Sequence, residues 1–141
     1  MKKLLIMVCA FFLLMGCSKE KPRHAKCTSR QEQSIMSVEM EFNEEYYLDT
    51  LVWTWESTEN SEYRANKNVE EIEQIKKDLG ISNIQDVTAS AKGKVFKVVA
   101  RPTLEELKHS SMFKDMPIDK TSDVIVKDFQ NSSNVNVKCE Y

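Results

Sequence analysis

Glycine and proline are scarce, three of each in 141 residues, and histidine occurs only twice. So few glycines exclude a collagen-like or low-complexity polymer and leave no glycine-rich loop to cradle a phosphate. Neither charge sign dominates. With 20 Lys and Arg against 22 Asp and Glu, the formal net charge is -2, which argues against a basic nucleic-acid binder. His24 and His109 are 109 − 24 = 85 positions apart and neither has a His or Cys at helical spacing, so neither a metal nor a cofactor is expected. Long apolar runs are also missing, with one exception. Residues 4–15 (LLIMVCAFFLLM) are twelve apolar residues in succession, about 18 Å of helix against a hydrocarbon core of roughly 30 Å, too short for a stable span.

That run has the layout of a secretory signal, with Lys2 and Lys3 before it and Gly16 and Cys17 after it. Leu14-Met15-Gly16-Cys17 resembles the lipobox of bacterial lipoproteins, with Met15 bulkier than the small residue common at its position. The resemblance implies cleavage after Gly16, a diacylglyceryl thioether on the Cys17 sulfur, and anchorage to the extracytoplasmic face of the cell membrane. At about 0.8 kcal/mol per buried CH₂, two acyl chains hold stably where one short chain would not. The expected division is a signal peptide over 1–16, a lipidated Cys17 with a polar tether over 17–33, and a folded domain over 34–141. In the tether, Lys19, Lys21, Arg23 and Lys26 either meet anionic headgroups, at about 1 kcal/mol each, or keep a spacer solvated. Without its first 16 residues the chain loses two positive charges and no acids, leaving 18 − 22 = −4.

Four cysteines are present. Cys9 leaves with the signal and Cys17 carries lipid, so Cys27 and Cys139 are expected to pair in an oxidising compartment. Closing a loop of that size is worth about 4.7 kcal/mol in the chain-entropy picture.

The domain reads as α+β, a single mainly antiparallel sheet of two hairpins plus a C-terminal strand, with helices on one face in the order ββαββααβ. Met36, Val38, Met40 and Phe42 alternate with polar residues as a strand, and Tyr46–Ser57 resumes after Asn43-Glu44-Glu45 with Leu51, Trp53 and Trp55 on one side and Tyr46, Leu48, Thr50 and Val52 on the other. Val69, Ile72, Ile75 and Leu79 fall within an arc of about 120° on a helix over 67–79, capped by Asn66 or Asn68 and stopped by Gly80. Segments 87–91 and 95–100 flank Gly93 as a second hairpin. Thr103 and Glu106 form a capping box for a helix to about Phe113 that turns Leu104, Leu107 and Met112 inward. Residues 122–129 carry a cap signal but also three β-branched residues, so helix and strand both remain open. Residues 131–134 are a turn, and Val135, Val137 and Cys139 begin a last strand.

This order behind a lipobox and tether is similar to that of YehR-like lipoproteins, a family of uncharacterised function. The resemblance implies a helix over 122–130 and carries over no catalytic site. The residues themselves offer little chemistry: Glu44-Glu45, Glu70-Glu71 and Glu105-Glu106 lie in turns or first helical turns, where solubility and the helix dipole account for them. Trp53 and Trp55 share a strand face and are the candidate ligand-binding residues. They form either an aromatic shelf for a sugar or apolar peptide, or core beneath the 67–79 helix, and the sheet's need for large residues favours core. The expectation is a non-enzymatic binding module on a lipid anchor, its partners the membrane and an unknown envelope protein or small ligand, with no nucleic acid. The alternative is an accessory or inhibitory module acting on an envelope protein.

Overall fold

The computed structural model describes residues 20–131 and 136–141. The signal segment, Cys17, and all but the first residue of the turn expected over 131–134 lie outside the described residues, as does Val135. The described chain runs β1 (His24–Arg30), β2 (Ser34–Phe42), β3 (Leu48–Thr58), α1 (Glu62–Glu70), α2 (Ile72–Asp78), β4 (Val87–Lys92), β5 (Val95–Ala100), α3 (Leu104–His109), α4 (Ser122–Asn131) and β6 (Val137–Glu140). Its six strands form one sheet in the order β4-β5-β3-β2-β1-β6, every pairing antiparallel. The α+β architecture with helices over one face therefore stands, with β3 in the interior of the sheet as its two apolar faces require.

The sheet has one strand more than the two hairpins and closing strand expected. Seven residues of the stretch read as tether are β1, which lies between β2 and β6, and the fold begins at His24 rather than Ser34. Its inward residues are Ala25, Cys27 and Ser29, all buried and all small. Their alternation with polar residues has the strand period but almost no hydrophobic contrast, which hides the strand. They are small because α4 packs over β1, with Ile125 and Val126 fully or nearly buried beneath it.

A register shift at Glu41/Phe42 sets Phe42 opposite Leu48 while Glu41 faces Thr50, which places Asp49 in a bulge. The bulge turns Leu48 to the inner side with Leu51, correcting its expected place on the opposite face, and strand pairing starts at Leu48 rather than Tyr46. Inner-face Val38, Met40, Leu51, Trp53, Phe96 and Val98 then form the core with Ile81, Ile84 and Leu107 from the helix layer. The outer face is wet and threaded by cross-strand pairs. Lys26 Nζ meets Glu39 Oε1 at 2.7 Å, Lys97 Nζ meets Glu56 Oε1 at 3.1 Å, and His24 Nδ1 meets Glu41 Oε1 at 2.6 Å.

The helix expected over 67–79 starts earlier and is broken. Ser61, not Asn66 or Asn68, is the N-cap, its Oγ accepting from Arg64 N at 3.1 Å, while Asn68 is buried within α1. The first turns present only Ala65 and Asn68 inward, opposite Ala89 and Ala91 on β4, so no apolar period marks them. Glu71, at φ −90° and ψ 16°, separates α1 from α2. Val69, Ile72, Ile75 and Leu79 pack against the core as their spacing implies. Gly80 ends α2 at φ +72°, with Gly80 N donating to Lys77 O and Ile81 N to Lys76 O.

The capping box is formed: Glu106 N donates to Thr103 Oγ1 at 3.2 Å and Thr103 N to Glu106 Oε2 at 2.8 Å. The helix it starts ends at His109, short of the expected Phe113, because Ser110 leaves the helical region at ψ 127°. Leu104, expected inward, is exposed at the first position of this helix. Residues 122–131 are helical: β-branched Val124, Ile125 and Val126 lie in α4, where burial of Ile125 and Val126 outweighs their strand preference.

Candidate functional site

Cys27 and Cys139 are directly opposite in the β1–β6 ladder and are disulfide-bonded, with Cα atoms 4.0 Å apart. A close cross-strand pair of this kind fits a non-hydrogen-bonded ladder position. The bond ties the short edge strand β6 to the body of the sheet.

Trp53 is 1% exposed beneath the helix layer, so it presents no open aromatic shelf. Trp55 is half-buried and meets Phe96 edge-to-face, with centroids 6.0 Å apart. The shelf expected as one alternative is thus replaced by core packing, as the size of the sheet requires. Trp53 has a second aspect, however. It lines a groove of about 200 Å³ with Met36 and Val38 of β2, Met112, Phe113 and Met116 of the loop after α3, and Phe129 of α4. Carboxylates of Asp115 and Asp128 complete the lining. The Trp53 indole Nε1 is buried with no hydrogen-bond partner among the described residues, a state that costs about 1–3 kcal/mol.

The methionine-bearing wall is held by a distant carbonyl. Gly80 O accepts from Ser110 Oγ at 2.7 Å and from Met112 N at 3.3 Å, and Ser110 is fully buried. Phe113 N to Ser110 O and Met116 N to Phe113 O continue the loop as successive tight turns. The wall is therefore fixed in backbone and soft in side chain, since unbranched thioethers adapt to irregular surfaces. Of this groove the sequence points to Met36, Val38, Trp53 and Met112. Met116 and Phe129 carry no such signal, because the loop has no periodicity and the segment around Phe129 reads as either helix or strand.

The carboxylate pairs do not converge on a cleft. Glu44 and Glu45 are exposed in the β2–β3 turn, Glu71 takes Arg64 and Lys67 at 3.8 and 3.7 Å, and Glu106 serves the cap. His24, expected in a tether, opens β1, while His109 Nδ1 lies 3.0 Å from Glu105 O. Among the described residues no three of His, Cys, Asp and Glu cluster as metal ligands, and no helix is long and apolar enough to cross a membrane. No family model, curated protein or solved structure matches the chain.

Proposed function

We propose that this chain is a lipid-anchored protein of the extracytoplasmic membrane face whose domain is a non-catalytic binding module, with the groove between β2, β3, the 110–118 loop and α4 as its site. The anchor rests on the residues up to Cys17 and their lipobox resemblance. The observation that carries the site is a groove walled by the adaptable thioethers of Met36, Met112 and Met116, with Phe113 and Phe129 beside them. An occupant with an apolar end would suit that wall.

Size favours the alternative in which the occupant belongs to an envelope protein. About 200 Å³ is below the roughly 300–1,000 Å³ of small-molecule sites and suits one or two apolar side chains. Photo-crosslinking in cells tests both readings. A photoreactive residue at Met112 should give a discrete adduct that one at Lys94, in the β4–β5 turn, does not. The adduct should vanish when Met36→Glu is added without change in the circular dichroism spectrum. A protein-sized adduct favours the accessory module and a small one favours a ligand. No groove-specific adduct would sink the site.

A further inference from the structure

Lys21, Arg23, Tyr46, Tyr47 and Tyr141 lie at one end of the sheet. Phe42 N donates to Arg23 O at 2.8 Å, which brings the incoming chain beside the β2–β3 turn. Tyr46 in that turn takes the Arg23 guanidinium at 5.0 Å and the Lys21 ammonium at 5.9 Å from its ring centroid. Tyr46 also adopts φ +67°, a conformation that bulky residues rarely hold, which is stabilised here by Tyr46 N donating to Asn43 O and Ser122 N to Tyr46 O. The strained turn leaves the next residue, Tyr47, 42% exposed. Tyr141 is 68% exposed at the same end, since β6 runs antiparallel to β1 with Glu140 opposite Lys26.

We infer that this end of the sheet is a lipid-facing pole, with Tyr47, Tyr141 and the Lys21/Arg23/Tyr46 stack seated at the headgroups of the bilayer that holds Cys17. The inference rests on the lipid-anchor reading. Lys21 is only 21 − 17 = 4 positions from Cys17, at most about 14 Å of fully extended chain. The pole therefore cannot leave the interfacial zone. Exposed tyrosines and long cations are the side chains that zone accommodates, the ring at headgroup level and the charge in the wet layer. Glu20, Glu44, Glu45, Asp119 and Asp123 share the pole, and Asp123 lies 3.9 Å from Lys21, so tether length and aromatic rings, rather than net charge, set the contact. β3 then points away from the bilayer. Met36, opposite Trp55 and seven residues along β3 from Leu48, holds the groove roughly 20 Å above the pole, open to the periphery.

The test uses the full chain extracted from membranes and reconstituted into phosphatidylcholine/phosphatidylglycerol vesicles, with and without brominated phosphatidylcholine. Tyr47→Trp is compared with Tyr63→Trp, whose site is 73% exposed at the opposite end of β3, each read above the Trp53 and Trp55 background. Bromine should quench the Tyr47→Trp protein several-fold more than the Tyr63→Trp protein. Equal quenching, or none in either, from vesicle-bound protein overturns the pole while leaving the anchor standing. Wild-type protein that fails to float with vesicles overturns the anchor and the pole together. Tyr141→Trp supplies the same comparison if Tyr47→Trp does not fold.

Discussion

Gly80 shows how much one residue can hold in this chain. Its positive φ stops α2, and its carbonyl fixes Ser110 and Met112, so the end of one helix and the wall of the groove share a peptide unit. A Cβ there would stand 2.5 Å from Ser111 Oγ and 3.2 Å from Met112 N, on top of an unfavourable backbone. Gly80→Ala should therefore destabilise the domain by about 1–3 kcal/mol in urea titration and also lower groove crosslinking at Met112. Trp53 acts through its volume. It is 1% exposed in the core, so Trp53→Phe should open a cavity and cost about 1–3 kcal/mol in the same titration, a loss partly offset because the indole N–H it removes has no partner.

Among the elements, those with strong hydrophobic contrast could be read from the sequence and those built from small or polar residues could not. The β2–β3 and β4–β5 hairpins, the apolar face Val69/Ile72/Ile75/Leu79 and the Thr103/Glu106 box all follow from spacing. Strand β1 does not, because Ala25, Cys27 and Ser29 gain burial by being small beneath α4. The start of α1 was hidden in the same way by Ala65 and Asn68. At the start of α3, Glu106 receives hydrogen bonds from Thr103 N and also from Gln85 N at 3.0 Å, and these backbone donors hold its carboxyl below the ordinary glutamate value. The Lys26 hydrogen bond lowers Glu39 in the same sense, and the Thr121 hydroxyl lowers Asp123. Each depressed carboxyl contributes stability that is fully present above its unfolded value and is lost as pH falls through its folded one. Thermal midpoints should accordingly fall on acidification below about pH 4.5, and Glu106→Gln should make that fall shallower. Thr103→Ala, which removes the reciprocal acceptor, should cost about 1 kcal/mol at neutral pH.

For the whole molecule, the disulfide has two effects. It closes a ring of 139 − 27 = 112 positions around nearly the entire fold and fastens the four-residue edge strand β6, which pairs with β1 and packs against α4. Replacing both Cys27 and Cys139 by Ser should lower unfolding free energy by about 2–5 kcal/mol, with β6 amides losing hydrogen-exchange protection first. The pairing was readable from the count of cysteines once Cys9 and Cys17 were set aside. The groove was not, because it is assembled from β2, β3, a loop and α4, and no local pattern encodes their meeting.

The same bond also governs how the protein responds to being pulled. A load applied between the N-terminal side of β1 and Tyr141 enters at Cys27 and leaves at Cys139, crossing one covalent link and bypassing everything between. Forced extension from the termini should release only the few residues outside the ring. Under reducing conditions the same pull should release roughly 400 Å more contour, at about 3.6 Å for each of the 112 enclosed positions. A domain moored to a bilayer at one end of its chain would thus carry tension through its seam, with its groove mechanically isolated from the mooring.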